Sequence, residues 1–278
     1  MFDCHTHVFG SGHVGGAALA ALKRVWGEKY EMKALPKDNL ECVKDCEGAI
    51  VLAFDAPATG MVVPNEYVAE YTLKHQDKLF GFASVDPNKW DAPLILEHAV
   101  KELGMCGLKL APFYQNFYPD EKRYFSLYAK AAELNIPILW HQGTSFIPEG
   151  YLDASRPAAL DPIAREFPSL KMIIAHMGHP WTEECIAVVR KNKNMFMDMS
   201  ALGTRSWQFY NAMVIAMEYG VLHKILFGSD YPFFTSEETK ESFSNINKLV
   251  EGTNFPRIPE REVEKIIQRN TPEILEIV

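Results

Sequence analysis

Eight short apolar runs, each followed by a longer stretch with helical periodicity, constrain this chain more than any other feature. The runs cover residues 2–7, 49–54, 79–85, 107–110, 136–141, 172–176, 195–199 and 225–227. Their centres lie roughly 30 residues apart, the length of one strand–helix unit. Both faces of each run are apolar, as parallel strands covered by helices require. The intervening stretches 36–46, 65–75, 92–103, 122–134, 157–166, 183–191, 207–219 and 237–250 have helical spacing. The first of them opens on Pro36, whose missing N–H costs nothing in the first turn of a helix. Eight alternations predict α/β architecture as a (β/α)8 barrel of the TIM type, one catalytic domain over residues 1–278. A closing helical piece around 260–276 follows the proline-marked linker 255–259 and is expected to pack on the outside. An open doubly wound sheet needs an early glycine-rich phosphate turn, and Gly10, Gly12, Gly15 and Gly16 do not have that spacing.

The active site of such a barrel lies at the C-terminal ends of its strands. His5 and His7 end the first run. With Thr6 between them, both imidazoles fall on one face of a strand and can hold two corners of a divalent metal. Cys4, between Asp3 and His5, is expected on the opposite face, as packing. Lys109 ends the fourth run, His141 the fifth, His176 the sixth and Asp230 the eighth. Four of the nine histidines thus stand at strand ends, which scattered core or surface histidines would rarely do.

A net charge of −8 argues against nucleic acid or an anionic membrane as a partner, because both need basic patches. The five cysteines are odd in number and scattered, and Cys42 and Cys46 have no second pair with which to form a zinc site. Their spacing suits reduced thiols on one helix face, and so a cytoplasmic setting. No leader is read before Asp3, and no apolar run reaches the roughly 18 residues of a membrane helix.

Taken together, the His-x-His of residues 5–7, Trp-His-Gln-Gly at 140–143, Ala-His-Met-Gly-His-Pro-Trp at 175–181 and Phe-Gly-Ser-Asp-Tyr-Pro-Phe at 227–233 resemble the amidohydrolase superfamily. The resemblance is to the branch containing aminocarboxymuconate-semialdehyde decarboxylase and related decarboxylases and hydrolases. The C-terminal Asn-Thr-Pro-Glu-Ile-Leu at 270–275 resembles the end of that branch too. The resemblance implies one divalent metal ion held by His5, His7, His141 and Asp230, with His176 as the acid or base beside it. Asp230 also accepts a proton in hydrolytic relatives. Zinc is the default for this donor set, with manganese the alternative. Lys109 occupies the position at which binuclear relatives carry a carbamylated bridge; the branch resembled here implies an unmodified lysine that pairs with a carboxylate or orients substrate.

His179, Trp181 and Arg205 are the further substrate-binding candidates, Arg205 as a bidentate clamp for a carboxylate. His13 and Arg24 are weaker ones, the facing of Asp198 is open, and His75, His98 and His223 read as structural. Two reactions suit this set. The first is hydrolysis of a small lactone, ester or amide by metal-activated water; the second is non-oxidative decarboxylation of a small unsaturated or aromatic acid. A catalytically silent binding barrel is the third reading, set against a complete ligand set. The partner expected is a small, possibly carboxylated substrate, and a homodimer suits the branch.

Overall fold

The computed structural model describes residues 1–28 and 34–277. Its barrel strands are β1 (Phe2–His7), β2 (Gly48–Leu52), β3 (Leu79–Ser84), β4 (Gly107–Leu110), β5 (Ile138–Trp140), β6 (Met172–Ile174), β7 (Met195–Asp198) and β8 (Ile225–Leu226). They are parallel and adjacent in consecutive order. The chain beyond β8 then continues beside β1 and parallel to it, with Thr6 bridged to Tyr231. Cys4 N–H donates to Phe227 O at 2.9 Å, Asp230 N–H to His5 O at 2.9 Å and His7 N–H to Tyr231 O at 2.8 Å. The (β/α)8 barrel expected from the eight runs is the fold.

Side chains two residues apart point to the same face of a strand, and this alternation builds two cores. Inward-facing Phe2, Cys4, Ile50, Leu52, Phe82, Leu139, Ile173, Ala175 and Leu226 fill the base of the barrel. The outward-facing residues meet the surrounding helices in a larger cluster. Phe82 lies across β4 so closely that a Cβ on Gly107 would stand 2.4 Å from its ring. That close approach is why a glycine occupies this point of a buried strand.

Four features differ from the sequence expectation. The run 49–54 breaks after Leu52: Phe54–Ala56 pairs antiparallel with Met61–Val63, turning at Pro57 and at Gly60, whose φ is 75°. The alanine-rich stretch Gly16–Trp26 is a helix, an element the run pattern did not include. The helix opening at Pro36 stops at Cys42, so Cys46 falls in the turn leading to β2 rather than on the same helix face. The closing piece is two helices, Glu260–Ile267 and Thr271–Leu275. The Asn270 side chain accepts from Glu273 N–H and Pro272 starts the second helix, so the break has a capping residue and a rigid start. The first helix buries Val263 and Ile266 outside the barrel, whereas Leu275 enters the interior cluster and plugs its base. No described helix is long and apolar enough to cross a membrane.

Candidate active site

The strand that carries His5 and His7 does not alternate regularly. Asp3 pairs with Ala49 but Thr6 pairs with Val51, so three steps along β1 match two along β2. This is a bulge, and a bulge re-aims every side chain beyond it. Cys4 therefore faces inward with Phe2, and His5 and His7 face inward above it, correcting the expectation that Cys4 and His5 lie on opposite faces. Gly228 records the result: a Cβ there would stand 3.1 Å from His5 Cβ and 3.2 Å from Cys4 Sγ. Asp3 turns outward and ties the bulge down. Its Oδ1 accepts from His5 N–H at 3.1 Å and Ser229 N–H at 3.0 Å, and its Oδ2 from Ser236 Oγ at 2.7 Å. Burial pushes the Asp3 carboxyl up to about 6 in spite of those donors.

At the ends of β6, β7 and β8 the backbone bends sharply. Of seven described non-glycine residues with positive φ, four are His176 (56°), Met177 (47°), Ala201 (61°) and Asp230 (69°). Each such residue costs about 1–3 kcal/mol, and such strain gathers where side chains must be aimed. Here it turns His176 and Asp230 across the barrel mouth.

His5, His176 and Asp230 offer ligand atoms within 4.8 Å of one another. Asp230 Oδ1 lies 3.4 Å from His5 Nε2 and 3.5 Å from His7 Nε2. Lys109 Nζ is 3.2 Å from His5 Nε2, and His141 Nδ1 is 3.2 Å from His176 Nε2. His7 Nδ1 and His141 Nε2 are buried without a hydrogen-bond partner. Two donors each about 2.1 Å from one ion stand about 3.0–3.4 Å apart at octahedral or tetrahedral angles. The Asp230–His5 and Asp230–His7 separations match that spacing, so the donor set fits a divalent metal. The arrangement also brings His176 into one group with His5 and Asp230, where the sequence set it beside the metal.

The rings are electrically suited to ligation, which needs neutral imidazole. Burial, reinforced by the Lys109 ammonium, lowers His5 below the usual imidazole range and His7 well below it. Burial and the neighbouring His176 lower His141, and burial takes His176 down to about 4. Lys109 is only 1 % exposed, and burial draws it down to about 8 although Asp230 and Asp198 favour its charge. Asp198, left open by the sequence, is wholly buried beneath the cluster. Its Oδ2 is 3.0 Å from His5 Nδ1, and its Oδ1 accepts from His176 N–H at 3.0 Å and Ser200 N–H at 3.0 Å. Burial alone would raise the Asp198 carboxyl, but His5, His176 and Ser200 outweigh it and hold the group well below the carboxylate range.

Above the cluster opens a cavity of about 350 Å3. His141, His176 and Asp230 form its floor, Trp26, Phe146, Leu202, Phe233 and Phe234 its apolar walls, and Arg205, His179, Thr144 and Ser145 its polar rim. The unforeseen helix Gly16–Trp26 supplies one of these walls: Trp26 stacks on Phe233 at 6.1 Å and meets Phe234 at 6.0 Å. A smaller pocket of about 40 Å3 lies below, lined by His7, Lys109, Tyr114 and a mostly apolar ring including Phe9, Phe54 and Met61. Of the substrate candidates, Lys109, His179 and Arg205 line these spaces. Trp181 does not. It packs under the Arg156 guanidinium, 5.4 Å away, and lines a separate outer groove. His13 is also occupied elsewhere, accepting from Gly10 N–H at 2.9 Å and packing edge-on to Tyr67. Arg24 donates to Phe146 O at 2.8 Å, linking the first helix to the cavity wall.

The amidohydrolase family model matches residues 2–277. The chain belongs to the amidohydrolase family. No curated protein matches it. Among solved structures, it is similar to an uncharacterized TIM-barrel protein from Bordetella bronchiseptica, with 18% identity, a TM-score of 0.76, and 99% of this chain and 98% of that one covered. It is also similar to a dihydroxybenzoic acid decarboxylase from Polaromonas with bound manganese and the inhibitor 2-nitroresorcinol (19% identity, TM-score 0.69, 99% and 96% covered). A third is a probable 2-pyrone-4,6-dicarboxylic acid hydrolase from Acinetobacter baumannii with citric acid bound (16% identity, TM-score 0.68, 99% and 98% covered). At these identities the likeness is one of fold. Solved structures that share this fold thus include both a decarboxylase and a probable hydrolase.

Proposed function

We propose that this amidohydrolase is a metal-dependent hydrolase of a small carboxylated lactone, ester or amide. The convergence of His5 Nε2 and His7 Nε2 on Asp230 Oδ1, at the floor of a cavity with a cationic rim, carries this reading. His5, His7, His141 and Asp230 would hold the ion, zinc by the preference of nitrogen donors; the manganese in the Polaromonas decarboxylase makes that ion the alternative. When bound, a divalent ion polarises a carbonyl and brings the pKa of its water to about 7.

The residues of the chain do the rest. His176, neutral near pH 7, takes a proton at Nε2 and returns it to the leaving group. Asp230 accepts the second proton of water. Lys109 sets a positive charge beside His5 and orients the reacting group. Arg205 donates to a substrate carboxylate at the rim, and the aromatic walls exclude water from a flat substrate.

Decarboxylation of an unsaturated or aromatic acid is the second reading. It is favoured by the apolar lining of the lower pocket, which strips water from a carboxylate and suits an uncharged product such as carbon dioxide. Hydrolysis is placed first because Arg205 is, among the described residues, the only arginine lining the cavity, and it stands at the rim rather than over the floor.

Metal analysis paired with a screen of lactones, esters and unsaturated acids tests both. One metal per chain with acid release and no carbon dioxide supports hydrolysis; carbon dioxide release transfers the same residues to a decarboxylase. Two metals per chain would assign Lys109 to a bridge. The His141→Ala variant is expected to lose metal, and full occupancy there would misplace the site.

A further inference from the structure

We propose that Asp198, acting with Ser200, is a positioning group that fixes the ring protons of His5 and His176 on Nδ1 and so turns both Nε2 lone pairs toward the metal centre. The inference rests on the metal reading above for its purpose, but on hydrogen-bond chemistry for its content. An ionised carboxylate only accepts. Asp198 Oδ2, 3.0 Å from His5 Nδ1, therefore requires a proton on that nitrogen. The other side of the ring agrees: Lys109 Nζ, a donor, stands 3.2 Å from His5 Nε2.

His176 is constrained in the same sense. Its Nδ1 lies 3.1 Å from Ser200 O, an acceptor, and 2.7 Å from Ser200 Oγ. That hydroxyl is 2.5 Å from Asp198 Oδ1 and donates to it, so its lone pairs face the ring. The tautomer of a histidine ligand is set by what its other nitrogen meets, and groups in this role typically alter metal affinity about 10–100-fold. One carboxylate at the end of β7 thus governs two rings, from strands β1 and β6.

The Asp198→Asn variant separates this role from mere packing, because it keeps shape and replaces one acceptor with a donor. Oδ1 faces three donors, the N–H groups of His176 and Ser200 and the Ser200 hydroxyl. The amide oxygen belongs there, which directs the new NH2 at His5 Nδ1. His5 must then move its proton to Nε2. Nitrogen-15 spectra of the metal-free protein, with His5 assigned from a His5→Gln sample, read the tautomer directly. Wild type is expected to show His5 and His176 protonated on Nδ1, and the Asp198→Asn variant His5 protonated on Nε2. Zinc affinity in the variant is expected to fall about 10–100-fold with the melting transition still cooperative.

A wild-type His5 protonated on Nε2 overturns the proposal, as does an unchanged His5 tautomer in the variant. If the variant does not fold, the wild-type spectrum decides alone. A wild type that shows the expected tautomers but binds neither zinc nor manganese sinks the metal reading and leaves the role of Asp198 standing.

Discussion

The base and the mouth of the barrel are lined by the same eight strands, a few residues apart, yet they are held together by different rules. At the base, Phe2, Ile50, Phe82, Leu139, Ile173 and Leu226 fill space, and each needs only the right volume. At the mouth, His5, Lys109, His141, His176 and Asp198 are as deeply buried but must each find a partner of suitable donor or acceptor character. Those partners come from distant sequence: His5 and Asp198 are 193 residues apart. The lesson is that the base stores stability locally and replaceably, whereas the mouth depends on a connected network whose members cannot be exchanged one at a time.

If this contrast is right, changes at the mouth remove activity and spare the fold, and changes at the base do the reverse. The largest effect is expected for His176→Ala: turnover falls about 10²–10⁴-fold, the usual weight of a positioned acid–base group. Steady-state kinetics on the metal-loaded protein, beside a melting curve, check it, and activity within tenfold of wild type breaks the contrast. Next comes Phe82→Ala at the base, expected to cost about 3–5 kcal/mol of stability by urea unfolding. Its folded fraction should keep the wild-type turnover and metal content, so a comparable loss of both would show that base and mouth are coupled.

Arg205→Gln sharpens the picture at the rim. For an acidic substrate, KM should rise roughly 10- to 100-fold with kcat little altered, since one charge-assisted hydrogen bond is worth about 1.5–3 kcal/mol. A drop in kcat instead would place Arg205 in the chemistry. The smallest effect concerns the outer latch, where Glu184 holds Arg156 and accepts from Ala158 N–H at 2.9 Å. Burial alone would raise the Glu184 carboxyl, but Arg156 and Ala158 outweigh it and lower it below 4.5. A carboxylate lowered on folding stabilises above its unfolded pKa, and the gain is lost as pH falls through the folded value. Glu184→Gln should therefore lower the melting temperature slightly at pH 7, by an amount that shrinks as pH falls below about 4.5. A difference that stays constant with pH would mean the latch is not electrostatic.

Much of the architecture is legible in the chain. Seven of the eight apolar runs contain a barrel strand, and β2 starts one residue before its run, at Gly48; β1 and β4 have the expected bounds, and β5 is shorter at both ends, starting at Ile138 rather than 136. His5, His7, His141, His176 and Asp230 all stand at the mouth because the C-terminal end of each strand opens there. The hairpin Phe54–Ala56 with Met61–Val63 was not legible, because its strands are three residues each and one merges with the apolar run before it. Trp181 reads as a pocket residue by proximity to His176, yet along that loop His179 lines the cavity while Trp181 lies in the outer groove against Arg156. Asp198 was ambiguous because its facing depends on the register of β7, which composition does not reveal.

What the sequence by itself determined is the periodic part: eight β/α units, apolar strands covered on both sides, and ligand-type residues at the strand ends. These follow from interactions that repeat with fixed spacing along the chain. Only the tertiary structure decided the bulge in β1 that brings Cys4 and His5 to the same face, the buried carboxylate that spans His5 and His176, the aromatic wall lent by Trp26, and the plug formed by Leu275. Each of these depends on which strands become neighbours when the barrel closes. A hydrogen bond or a close approach between residues some 200 positions apart leaves no period in the sequence from which it can be read.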